Sequence, residues 1–224
     1  MRSKSQHTKY KLKMGTGDNA KYKPYIQVGE FGSLGTAACV IDYKTGRTVH
    51  LLSQAEVIAW HLLRWKDNVI DIKEQYPLPI KDTLKIAKDY GISHPFKNGE
   101  PTVLTTDLYV IRDTGNFAIS IKTSMNNLKY NNLFIEKKYW KEHNIPWRLI
   151  SKDELNIARY KNIRNVTHYY DLDYFPDEIS FLKFLIARKL LIVDMDKPLD
   201  YEQIITERKE EIEKWKTSSL KLVK

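Results

Sequence analysis

One short stretch, residues 105–122, limits what this chain can become more than any other. It reads Thr-Thr-Asp-Leu-Tyr-Val-Ile-Arg-Asp-Thr-Gly-Asn-Phe-Ala-Ile-Ser-Ile-Lys, two β-rich runs around Thr114-Gly115, and the pattern predicts a β-hairpin with a two-residue turn. That turn pairs residue 113 with 116, 109 with 120 and 107 with 122. Side chains alternate along a strand, so Asp107, Tyr109, Ala118, Ser120 and Lys122 share one expected face. Leu108, Val110, Phe117, Ile119 and Ile121 take the other, apolar face. An acid opposite a lysine on such a hairpin suits metal-dependent phosphodiester chemistry. The acid holds a divalent cation, and the lysine orients or deprotonates water or steadies charge on phosphate. The same two residues also fit a plain cross-strand ion pair on a solvent face.

The rest of the chain sets the frame. Its 224 residues are enough for one large domain, or one domain with a small appendage. No apolar run reaches the length of a membrane span, and the first residues carry no apolar signal region, so no membrane association is expected. The single cysteine, Cys39, excludes an internal disulfide and argues against a cysteine-rich zinc site, which fits a reducing cytoplasm. A formal charge of +9 points to a polyanionic partner, most often nucleic acid. The excess gathers before Pro24, where Lys9, Lys11, Lys13, Lys21 and Lys23 are interleaved with Tyr10 and Tyr22. Residues 1–24 therefore read as a basic flexible arm. It either tracks a phosphate backbone or is a solvated tail.

Along the chain, 37–43 and 48–52 read as strands and 53–66 as a helix with Ser53 as N-cap. Residues 69–78 form a strand that stops at Pro77, and 81–91 a helix ended by Gly91. A helix over 136–143 and a strand over 147–151 follow, then a helix over 153–160. A polar-aromatic run at 165–175 marks an expected boundary. The expected division is thus an arm (1–24), a catalytic domain (25–165) and a small helical or winged-helix-like domain (166–224) built on helices over 177–192 and 201–216.

A further carboxylate for the hairpin site would come from the preceding helix, where Glu56 stands three residues after Ser53. Glu56 also completes a capping box with Ser53, and the two roles are compatible because an acid near a helix N-terminus stays comfortably ionised. Glu74 and Gln75 either help position a metal or water or form a solvated strand end. His94 either touches phosphate or is a satisfied loop histidine, and the histidines lack metal-ligand spacing. There is no Walker lysine loop, GxGxxG or GxSxG, so ATP, dinucleotide and serine-hydrolase chemistry have no support.

Several ordered blocks now carry a resemblance. Residues 51–56 (LLSQAE), 69–78 (VIDIKEQYPL), 86–95 (IAKDYGISHP) and 105–108 (TTDL) are similar to the TnsA family, the endonuclease subunits of heteromeric cut-and-paste transposases. Residues 135–140 (IEKKYW), 145–147 (IPW) and 162–164 (NIR) continue it in order. The resemblance implies an α/β restriction-endonuclease-like core with Glu56 and Asp107 as metal-binding acids and Lys122 as the catalytic lysine. It further implies Mg²⁺ or Mn²⁺, with the Ile121 carbonyl as a ligand. The family usually carries Gln or an acid where this chain has Ser120, so one ligand or water contact is weakened here. The activity implied is cleavage of the 5′, non-transferred strands of double-stranded DNA at transposon ends. The partners implied are a TnsB-type transposase and, through the C-terminal region, a TnsC-type AAA+ ATPase. Two rivals remain at this point: an assembly subunit without catalysis, and a stand-alone restriction-type nuclease.

Overall fold

The computed structural model describes residues 4–30, 37–122 and 130–219. The chain forms two compact units, 1–155 and 156–224. In the first, helix α1 (Gln6–Lys11) is followed by strands β1 (Ala38–Ile41) and β2 (Thr48–Leu51), which pair as an antiparallel hairpin. Helix α2 (Gln54–Arg64), strand β3 (Val69–Pro77) and helix α3 (Ile80–Asp89) come next. A small hairpin, β4 (Phe96–Lys97) and β5 (Glu100–Pro101), precedes β6 (Thr105–Arg112) and β7 (Phe117–Lys122). Helix α4 (Tyr130–Glu142) and strand β8 (Trp147–Ser151) complete the unit.

Four strands make one mixed sheet in the order β3-β6-β7-β8, antiparallel except for the parallel pair β7–β8. The parallel pair needs a crossover, and α4 supplies it. Helix α3 ends where expected: Tyr90 caps it, Gly91 takes φ +64°, and the Ile92 and Gly91 N–H groups bond back to the Ala87 and Lys88 carbonyls. One face of the sheet buries Leu104 and Ala118 against Leu78, Ile86, Ile135, Tyr139 and Trp140, and Trp140 stacks on Tyr109 with ring centroids 5.0 Å apart. Helix α2 is buried along most of its length, from Ala55 to Arg64, and packs against β3, β6 and β7.

The hairpin forms, but in a different register. Tyr109 pairs with Ala118 and Val110 with Phe117, so the tip is Asp113-Thr114 rather than Thr114-Gly115. A two-residue slip preserves the alternation of faces, and continuing the register puts Asp107 across from Ser120.

The alternation itself is broken at one level. Glu74 and Gln75 are consecutive, yet both reach the β2–α2 layer, Glu74 to Arg47 and the His50 N–H, Gln75 to Glu56. Gln75 has φ +48°, a left-handed value inside a strand, which turns its side chain onto the same side as its neighbour's. Across the ladder, Thr106 and Tyr109 both meet α4 although they stand an odd number of positions, three, apart. The reset therefore falls at Asp107 and Leu108 on β6, level with Gln75 on β3.

The expected flexible arm is instead built onto the first unit. Ser5 caps α1, the Asn19 N–H donates to Asp71 Oδ2 at 2.9 Å, and the Tyr22 hydroxyl donates to the Glu74 carbonyl at 3.0 Å. A six-residue helix and isolated side-chain anchors leave no periodic signature to read.

The second unit begins at Asn156, ten residues before the expected boundary at 165/166. Helix α5 (Ile157–Thr167) belongs to it: Ile163 and Val166 are buried, and the Asn162 amide donates to the Met195 and Lys197 carbonyls. Helices α6 (Glu178–Ala187), α7 (Tyr201–Glu207) and α8 (Lys209–Ser219) follow, the first capped by Asp177 and the second by Asp200. The expected single last helix is two, because Arg208 leaves helical geometry at φ −113°, ψ 22°. Among its described residues the unit is helical and has no strand that would serve as a wing.

Candidate active site

Three of the expected residues converge. Strand β6 presents Asp107, whose Oδ2 accepts from the Ile121 N–H at 2.6 Å and from Lys122 Nζ at 3.2 Å. Asp107 and Lys122 are partly exposed, their side chains 15% and 34% accessible, so the pair sits at an opening rather than in the core. Burial alone pulls the Lys122 ammonium down, but the charge of Asp107 and the hydrogen bond to it outweigh that and hold it above its ordinary value.

Glu56 enters from the first turn of α2. Ser53 plays the cap, accepting from the Glu56 N–H at 3.2 Å and donating its hydroxyl to Glu56 Oε1 at 2.9 Å. Oε2 accepts from the Leu52 N–H at 3.0 Å and from Gln75 Nε2 at 3.1 Å. Glu56 is thus both part of the helix start and a member of the site. Burial pushes its carboxyl up to about 7, the negative charge of Asp107 adds to the push, and the Leu52 and Ser53 donors and Lys122 oppose it. That Asp107 is felt at Glu56 places the two carboxylates in one electrostatic neighbourhood.

Ser120 turns to a different element. It is buried and donates its hydroxyl to Glu136 Oε1, 2.5 Å away on α4, and the Thr106 hydroxyl donates to the same oxygen at 2.7 Å. Burial first and then the charge of Asp107 raise the Glu136 carboxyl, hydrogen bonds led by the two hydroxyls oppose them, and the balance stands at about 7. Glu136 was not among the expected site residues. A lone acid between Ile135 and the Tyr139–Trp140 pair on a helix face that is otherwise buried was the available signal.

Other expectations are corrected. Glu74 is fully buried in a bidentate pair with Arg47 at 2.7 and 2.8 Å, not a solvated strand end and not a partner of Asp107. His94 is buried, its Nδ1 3.0 Å from the Pro95 carbonyl and its Nε2 3.1 Å from the Thr83 hydroxyl, so its ring is not offered to phosphate. Lys9 is buried against Glu30 at 2.8 Å and donates to the Tyr25 carbonyl, so it too is unavailable to DNA. Lys11, Lys13, Lys21 and Lys23 are exposed.

Among the described residues no three His, Cys, Asp or Glu side chains stand together as a metal-binding group. The chemistry of the site nevertheless fits a hard divalent cation. Glu56 and Glu136 are buried acids with raised pKa values, both pushed by Asp107, and Lys122 is the cation bonded to that acid. Oxygen ligands and unbalanced negative charge are what Mg²⁺ or Mn²⁺ takes up. The described residues contain no helix long and apolar enough to cross a membrane.

Comparison with known proteins gives the same direction. The family described as TnsA-like endonuclease N terminal matches residues 66–152, a span that includes Asp107, Ser120, Lys122 and Glu136 and begins after Glu56. The chain is 36% identical over 155 residues to the transposon Tn7 transposition protein TnsA of Escherichia coli, covering 66% of this chain and 57% of that protein. The chain therefore matches somewhat more than half the length of this relative.

Proposed function

Because the chain belongs to the TnsA family, we propose that it is a divalent-metal-dependent DNA endonuclease, a transposase subunit that cuts the 5′, non-transferred strands at transposon ends. The observation that carries this reading is the Asp107–Lys122 contact at 3.2 Å, with Glu56 close enough for the Asp107 charge to raise its pKa.

Glu56, Asp107 and the Ile121 backbone carbonyl would hold the cation. When bound, it supplies Lewis-acid polarisation of a phosphate oxygen and lowers the pKa of water. Lys122 orients the attacking water for in-line displacement of the 3′ oxygen and steadies the charge gathering on the phosphate. The Ile121 N–H fixes the Asp107 carboxylate, so that the acid and the amine keep one geometry. Lys11, Lys13, Lys21 and Lys23, which are exposed, would meet the DNA backbone without reading sequence. A TnsB-type transposase would process the 3′ ends, and the helical unit 156–224 would meet a TnsC-type ATPase. The setting would be the bacterial cytoplasm, at the nucleoid when acting.

The alternative is an assembly subunit of the same complex without catalysis, which Ser120, in place of the Gln or acid the resemblance implies, and the +9 charge favour. Strand-resolved cleavage of transposon-end DNA, with the partner transposase and Mg²⁺ present, separates the two. The nuclease reading requires 5′ nicks that disappear in Asp107→Ala and Lys122→Ala, and nicks persisting in both variants overturn it.

A further inference from the structure

We propose that Gln75 is the positioning residue that aims the Glu56 carboxylate at Asp107, and that its left-handed backbone exists to make that reach. The proposal rests on the nuclease reading and adds to it a residue that does not touch the reacting atoms.

A strand residue next to Glu74 should point away from α2, because neighbours alternate. Gln75 points toward α2, and φ +48° is what turns it there. For a residue with a Cβ this conformation is sparsely populated and persists only where the surroundings over-determine it. Here they do. The register keeps one offset on both sides of Gln75, through Glu74↔Leu108 before it and Tyr76↔Thr106 after it, so no inserted residue explains the twist. The Gln75 carbonyl accepts from the Tyr25 N–H at 3.3 Å. The side chain is buried, with the Thr105 hydroxyl donating to Oε1 at 3.1 Å. With Oε1 occupied by a donor, the amide nitrogen is the end that faces Glu56, and it donates to Oε2 at 3.1 Å.

The result is a carboxylate held by three donors: the Leu52 N–H, the Ser53 hydroxyl and the Gln75 amide. A carboxylate offers about four lone-pair sites, so one remains for a cation, and its direction is set by the other three. The two residues just before α2 supply two of the donors locally. Gln75 is the one that ties Glu56 to the sheet carrying Asp107 and Lys122.

The test is Mn²⁺ binding to the full chain by calorimetry, a readout independent of cleavage. The variants are Gln75→Ala, Gln75→Gly and Thr105→Val, with Asp107→Ala as control. Outer partners of metal ligands typically contribute 10–100-fold in affinity, so Gln75→Ala and Gln75→Gly should both bind Mn²⁺ roughly 10-fold or more weakly. Glycine adopts φ +48° without strain, so Gln75→Gly should melt above Gln75→Ala while binding no better. A purely structural role predicts the opposite, recovery of binding along with stability. Thr105→Val leaves the backbone alone and frees the amide to turn, and should weaken binding in the same direction to a smaller extent. It decides the matter if the Gln75 variants do not fold. Wild-type affinity in folded Gln75→Gly, or in Thr105→Val, overturns the proposal. If Asp107→Ala still abolishes binding in that case, the nuclease reading stands without it. If the wild-type chain binds no Mn²⁺, both fall.

Discussion

Ser120 donates its hydroxyl to Glu136 Oε1 across 2.5 Å, joining the strand of Lys122 to helix α4. On this strand the chain has a short hydroxyl, and a carboxylate reaches it from a neighbouring element. The acidity of the site is therefore shared between β6, α2 and α4, each contributing one carboxylate: Asp107, Glu56 and Glu136.

Glu136 carries a sign-specific prediction. Its carboxyl titrates at about 7 in the fold against an ordinary 4.5, so the folded chain binds that proton more tightly than the unfolded one. The stability it contributes is full below pH 4.5 and is lost as pH rises through 7. Glu136→Gln keeps an acceptor for Thr106 and Ser120 but cannot ionise. Urea midpoints measured from pH 5 to 8.5 should fall less steeply in the variant, by at most about 3 kcal/mol at the alkaline end. Parallel curves would remove Glu136 from the account.

Lys122→Ala should leave the far-UV spectrum and melting temperature near wild type, because the pair it breaks is partly exposed. Cleavage of the 5′ strands should fall about 10²–10³-fold, the loss typical of removing one group that stabilises transition-state charge. Gel analysis of end-labelled transposon-end DNA reads the outcome, and a rate within a few-fold of wild type contradicts the role.

Much of this was legible beforehand. Ser53 with Glu56, the strand that stops at Pro77, and the Asp107/Lys122 hairpin are all local patterns, and local patterns survive into the fold. What was hidden has non-local causes. The hairpin register slips by two because the tip is set by the whole ladder and not by the glycine nearest its middle. Gln75 looks like any strand residue until its φ is known. Arg47 and Glu74 are 27 residues apart, and nothing near either one announces the other. Lys9 carries the same charge as Lys11, and only the tertiary position of Glu30 separates their fates.

Arg47 and Glu74 are that hidden pair, buried and bidentate. Removing one partner leaves an uncompensated charge in the interior, which costs about 3–5 kcal/mol. Arg47→Ala and Glu74→Ala should therefore lower the urea midpoint strongly in the absence of metal or DNA. A loss below about 1 kcal/mol would mean the pair is solvated in solution.

The lysines of the first segment should divide into two kinds. Lys9→Ala should destabilise the fold, since it strands buried Glu30. Lys11→Ala and Lys13→Ala should leave stability unchanged and weaken DNA binding uniformly across sequences. Each should lower the slope of log affinity against log salt by roughly one. Fluorescence anisotropy at several salt concentrations, beside thermal melts, distinguishes the two classes.

Strand β3 lies at one end of the sheet order, where a row of unsatisfied backbone groups would ordinarily invite another strand. Here the Arg47 guanidinium takes the Ile72 carbonyl, the Tyr22 hydroxyl takes that of Glu74, and the Tyr25 N–H takes that of Gln75. The segment before Gln27 supplies two of these three covers, Tyr22 and Tyr25. Expression of a version trimmed of it should yield aggregates seeded along that half-bared border, even with Glu56, Asp107 and Lys122 all present.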